Sequence, residues 1–174
     1  MPAIDPAVID HWVNVANNAA NSTTRGQAWQ HLGCYSFRRI PGVALAARNG
    51  FDLPRAREFD IAFRNQSDRT MFGFLDYLFL VECKYLSRPV SAPAVNWFAE
   101  KMKDRGIRDG VMFSTLGISG DPRAWTSGYN IVRTARREGL RILSLNLDQL
   151  RGCASSDDLV ALCRRQWMQL ALAR

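Results

Sequence analysis

The chain has 174 residues, of which 47% are apolar and 22% charged, and carries a net charge of +7. That length suits one domain with a sizeable core, and the composition excludes a disordered or fibrous chain. Met71–Val81, the most apolar run, is too short to span a membrane and is interrupted by Asp76. Met1–Asp5 lacks the basic and apolar regions of a signal peptide. The expectation is a cytoplasmic protein with no membrane partner. The positive charge favours a polyanion, because phosphate contacts release counterions. Cys34, Cys83, Cys153 and Cys163 show no CxxC spacing, which points to reduced, buried thiols. His11 and His31 are too few for a zinc site.

In chain order, Asp5–Ala20 reads as a helix with Val8, Trp12 and Val15 on one face, broken over Asn17–Ser22. Thr24-Arg25-Gly26-Gln27 has capping-box spacing and predicts the next helix, with Trp29 and Leu32 inward. Val43–Arg48 predicts a first strand that ends in an Asn49-Gly50 turn. Phe59, Ile61 and Phe63 alternate with Glu58, Asp60 and Ala62, which predicts a second strand; Asn65–Thr70 reads as a polar loop. Leu78–Tyr85 predicts a third strand. Pro89 and Pro93 mark entry to a helix running to about Arg105, with Val95, Phe98 and Met102 as its inward stripe. Gly110–Thr115, Pro122–Arg137 and Leu140–Leu145 predict strand, helix and strand. Ser155 or Ser156 starts a last helix with Leu159, Leu162, Cys163, Trp167 and Leu170 on one stripe. The order implies an α/β fold with a mixed central β-sheet and helices on both sides. Residues 1–23 form an N-terminal helical extension, 24–150 the core and 151–174 the C-terminal helix of a single domain.

Glu82 and Lys84 lie on the same face of the third strand, since strand side chains alternate. A carboxylate and an ammonium are costly to bury in an apolar strand without a purpose. Lysine is scarce here: Lys84, Lys101 and Lys103 are the only three, and arginine supplies the other basic residues. Hairpin pairing of the second and third strands would bring Asp60 beside Glu82. Two carboxylates then offer hard oxygen ligands suited to Mg²⁺ or Mn²⁺, with Lys84 beside the attacking water. The bland alternative is an Asp/Glu/Lys network that only fixes strand register.

Glu58-Phe59-Asp60-Ile61, then Leu80-Val81-Glu82-Cys83-Lys84, then Asp109-Gly110-Val111-Met112-Phe113-Ser114-Thr115-Leu116-Gly117-Ile118-Ser119-Gly120 form an ordered set. It resembles the PD-(D/E)XK nuclease superfamily, with its restriction-endonuclease-like fold, and most closely the Mrr-like branch. The resemblance covers roughly residues 24 to 150. It implies a Mg²⁺-dependent endonuclease, acting on DNA and leaving a 5′-phosphate, in restriction or antiviral defence. Asp60, Glu82 and the Cys83 backbone carbonyl would be metal ligands, and Lys84 the catalytic lysine. Relatives carry a Glu in a Gly-x-x-aromatic-Glu pattern where Gly26-Gln27-Ala28-Trp29-Gln30 places Gln30. An amide there could hydrogen-bond water at the metal but brings no charge.

Arg133, Arg136, Arg137 and Arg141 cluster in one segment, and Lys101, Lys103, Arg105 and Arg108 in another. Beside an acidic pocket they suggest a surface that tracks phosphates, with Arg133, Arg136, Arg137, Lys101 and Lys103 as nucleic-acid contacts. So small a chain has little room for target recognition, which a homodimer or a partner protein would then supply. A catalytically inactive nucleic-acid-binding or scaffolding subunit of a larger defence assembly is the main competing reading.

Overall fold

The computed structural model describes residues 2–50, 58–66 and 72–172. Helix α1 (Pro6–Asn17) starts where the Asp5 side chain accepts from the Ala7 amide and Pro6 needs no partner. Its buried stripe is Ile9, Val13 and Ala16, one residue out of phase with the Val8, Trp12 and Val15 face expected. Helix α2 (Ser22–Arg38) is capped by the Asn21 side chain, which accepts from the Thr24 amide, so it begins before the anticipated Thr24. The N-terminal helical segment packs on the core. Ile4, Ile9 and Val13 belong to the same apolar cluster as the sheet, and the Ile4 amide donates to the Ala154 carbonyl.

Five strands follow: β1 (Val43–Gly50), β2 (Phe59–Asn65), β3 (Leu78–Lys84), β4 (Asp109–Ser114) and β5 (Arg141–Asn146). They lie in the order β1-β2-β3-β4-β5, antiparallel through β3 and parallel from β3 to β5. The expected Asn49-Gly50 turn is instead the end of β1, where Gly50 still pairs with Phe59, although Asn49 has φ of 50°. The parallel strands are joined through α3 (Ala92–Asp104) and α4 (Ser127–Arg137), the latter shorter than predicted. A short α5 (Leu147–Arg151), closed by an Asn146/Gln149 capping box, and α6 (Ser156–Leu172) complete the order. The anticipated loop at Asn65–Thr70 falls mostly outside the described residues. Asn65 itself ends β2 fully buried, and its side-chain amide donates to the Phe72 and Leu75 carbonyls.

Helices cover both faces of the sheet. A Cβ on Gly33 of α2 would lie 3.2 Å from Ile61 Cδ1 and 3.3 Å from Cys83 Sγ. The same face carries Phe63 and Phe79, whose rings pack on Phe37 with centroids 5.6 and 5.8 Å away. A Cβ on Gly110 of β4 would lie 2.7 Å from both Phe98 Cζ and Met102 Sδ of α3. Glycine at 110 therefore lets α3 sit close on the second face. Each fully buried phenylalanine contributes roughly 1.5–3 kcal/mol. Among the described residues no helix is long and apolar enough to cross a membrane.

Candidate active site

Strand register determines which face Glu82 takes. Leu80 pairs with Gly110 and Glu82 with Met112, so Glu82 shares the α3 face with Gly110. Glu82 is 1% exposed. Its Oε1 lies 2.9 Å from Lys84 Nζ. Lys101 Nζ, from α3, donates to Oε1 at 2.9 Å and Oε2 at 2.8 Å. Lys101 is only 6% exposed, whereas the Lys84 side chain is 34% exposed and reaches solvent.

Asp60 occupies the seam where β2 and β3 part. Their register runs from Arg64–Leu78 to Ile61–Val81, and one further step would set Asp60 opposite Glu82. At that step Asp60 Oδ2 accepts from the Cys83 amide at 2.7 Å, in place of a backbone partner. The amide and carbonyl of one strand residue point to the same edge, so the Cys83 carbonyl also faces this seam. Gln30 of α2 reaches the seam from the other face, its Nε2 donating to Asp60 Oδ1 at 3.2 Å. Gln30 Oε1 is buried and has no partner among the described residues.

The electrostatics follow from this packing. Burial pushes the Asp60 carboxyl up to about 6, and the neighbouring Glu82 charge adds to the rise; the Cys83 amide, Lys84 and Lys101 offset part of it. Burial works to lower the Lys84 pKa, but the charge and hydrogen bond of Glu82, with help from Asp60, leave it raised. Lys84 is therefore an ammonium at neutral pH and cannot serve as a base. Burial holds the Cys83 thiol protonated, leaving only its backbone to contribute.

The structure thus brings Asp60, Glu82, Lys84, Gln30 and the Cys83 backbone together. It corrects the placement of Lys101, which is not on a phosphate-facing surface but inside this group. The sequence held a signal for this. Position 101 falls on the inward stripe of Val95, Phe98 and Met102, where a lysine is out of place unless paired. Lys103 is on the surface, bridging Glu100 at 2.9 Å and Glu138 at 2.5 Å. Arg133 donates to the Asn130 side chain, Arg136 to the Ala171 carbonyl near the end of α6, and Arg137 is exposed. Ser114 and Ser119 accept from the Gly117 and Gly128 amides and hold the loop after β4. Trp12 stacks on His31 at 4.6 Å, away from the carboxylates' hydrogen bonds.

The donor set is all oxygen: two carboxylates, a backbone carbonyl and an amide oxygen without a partner among the described residues. That is hard-ligand chemistry fitting Mg²⁺ or Mn²⁺. No group of three or more His, Cys, Asp or Glu gathers among the described residues, so water would complete such a coordination shell. The chain matches no family model, no curated protein and no solved structure.

Proposed function

We propose that this protein is a metal-dependent nuclease hydrolysing phosphodiester bonds, a DNA endonuclease of restriction or defence type with a restriction-endonuclease-like fold of the PD-(D/E)XK kind. The observation that carries the reading is the seam itself. A buried and a half-buried carboxylate from adjacent strands meet a solvent-reaching lysine, and a buried amide oxygen beside them lacks a donor among the described residues. A purely structural cluster gains nothing from that unsatisfied acceptor, which carries a desolvation penalty.

In this reading Asp60, Glu82 and the Cys83 carbonyl hold Mg²⁺ or Mn²⁺. When bound, the cation supplies Lewis acidity, drawing charge from the scissile phosphate and acidifying water. Lys84 does the work open to a permanent ammonium: it orients the attacking water and offsets charge building on the phosphate oxygens. Gln30 accepts a hydrogen bond from a water in the seam, fixing its lone pairs. Arg137, with Arg133 and Lys103, gives the α4 side a positive surface for phosphate contacts that do not read sequence.

One observation favours a second reading, a catalytically inactive nucleic-acid-binding or scaffolding subunit. Both Glu82 oxygens are already engaged by ammonium groups. Incubation with plasmid, single-stranded DNA and RNA, each with Mg²⁺, Mn²⁺ or chelator, separates the two. The nuclease reading expects chelator-sensitive cleavage of DNA. Tight, salt-sensitive binding with no cleavage in any metal supports the inactive subunit.

A further inference from the structure

The group at the seam is already neutral. Asp60 and Glu82 carry two negative charges when ionised, and Lys84 and Lys101 two positive ones. The two lysines are not equivalent. Lys84 Nζ lies 2.9 Å from Oε1 and its side chain stands partly in solvent, while buried Lys101 sits across the fork of Glu82 with contacts to both oxygens. The fork is where a cation ligated by this carboxylate would bind. Helix α3 cannot back away readily, because the Phe98 and Met102 side chains are pressed onto Gly110.

We propose that Lys101 is a built-in rival for the metal: its ammonium occupies the Glu82 fork and must swing out before a divalent cation binds. This rests on the metal site of the nuclease reading and adds a device to it. Adding a dication to the neutral group would leave two surplus positive charges. Withdrawal of Lys101 leaves one, which the single charge of a phosphodiester then balances. Metal and nucleic acid therefore bind together better than either binds alone, and the free protein is held in a latent, metal-poor state. The long lysine stem permits the exit, since it can lie along apolar surface while its head reaches water.

The wild-type protein provides the test. It has three lysines, so acylation by an amine-reactive reagent can be followed at each by peptide mass spectrometry. Lys101 should be protected in chelator and at least about tenfold more reactive in saturating Mg²⁺, with Lys103 unchanged; the same measurement is made with DNA present. Lys101→Met should bind Mn²⁺ at least about tenfold more tightly than wild type, because a like charge beside the cation is gone. Wild type that binds Mn²⁺ while Lys101 stays protected, or a Lys101→Met variant that binds no more tightly, overturns the rival but leaves the metal site standing. Should Lys101→Met not fold, the acylation result decides alone. Failure of both proteins to bind Mn²⁺ overturns the metal reading and this proposal together.

Discussion

Two acid–base clusters sit at opposite ends of the same parallel strands. At the start of β4, Asp109 is fully buried and receives Arg141 as a fork, Nε to Oδ1 at 2.6 Å and Nη2 to Oδ2 at 2.7 Å. The Asp76 amide donates to Asp109 Oδ2 at 2.7 Å, and the Asp76 carboxylate takes Arg108 and Arg141. Three residues further along β3 from the Phe79–Asp109 pair, roughly 10 Å, lies Glu82 with its lysines. The first cluster uses Arg141 in bidentate geometry that, with the Asp76 amide, leaves both Asp109 oxygens satisfied. The second uses lysines, point charges on flexible stems, beside an amide oxygen with no donor among the described residues. A planar fork fixes structure, while a compact ammonium can move and hold water. The contrast assigns stability to the Asp109 end and, under the proposed nuclease reading, chemistry to the Glu82 end.

The largest effect should come from breaking the arginine cluster. Arg141→Ala leaves Asp109 buried without its charge partner and should lower unfolding free energy by about 3–5 kcal/mol in a denaturant titration. Metal affinity measured under native conditions should stay unchanged. A loss under about 1 kcal/mol would mean that the Asp109 end is not the structural anchor.

Lys84→Arg comes next. It keeps the charge near Glu82, so the fold should hold. A guanidinium cannot place a single donor where the ammonium does, and a displacement of about 1 Å is worth on the order of a hundredfold in rate. Single-turnover cleavage should fall by at least that factor at unchanged DNA affinity. Near-normal rates from the folded variant would remove Lys84 from the chemistry.

Asp60→Asn gives a smaller and opposite effect on stability. The native Asp60 carboxyl titrates at about 6 against 3.8 for an unperturbed aspartate, so the folded state keeps a proton that the unfolded chain releases. Unfolding free energy from this group therefore falls as pH rises from about 4 to 6. At pH 7 the metal-free Asp60→Asn protein should be more stable than wild type by about 1–2 kcal/mol, a gain that shrinks toward zero near pH 4. A gap independent of pH would contradict the burial and Glu82 repulsion assigned to Asp60.

The surface arginines should give the smallest change. Arg136 already holds the Ala171 carbonyl, so reversing Arg133, Arg136 and Arg137 to Glu should cost less than three full phosphate contacts. The log–log salt slope of DNA binding should flatten by about 1–2. An unchanged slope would place the nucleic-acid surface elsewhere.

Much of the sheet is legible in the sequence because alternation is a local signal. Phe59, Ile61 and Phe63 against Asp60 and Ala62 determine which β2 side chains share a face, and the same rule places Glu82 with Lys84. The hairpin expectation that Asp60 nears Glu82 follows from those phases. Lys101 escapes such a reading because charge suggests exposure, although its helical position points inward. The Asp76–Asp109–Arg141 network is not legible at all. Its members are 32 and 65 residues apart, and no local period links an acid at a strand start to an arginine two elements later. Helix α5 has only five residues, too few for a periodic stripe to show. Strand β1 runs through Asn49-Gly50 because pairing of Gly50 with Phe59 overrides a turn-forming dipeptide.

The most direct test of a catalytic seam is the cleavage of supercoiled plasmid by wild type and Glu82→Gln, compared in Mg²⁺ and in chelator. Glutamine keeps the shape of the side chain but withdraws the charge that Asp60 repels and a cation requires. Wild type should nick the plasmid in Mg²⁺ alone, and a folded Glu82→Gln protein should not nick it at all. Equal cleavage by both proteins, or cleavage that survives chelator, would contradict a metal-dependent role for Glu82.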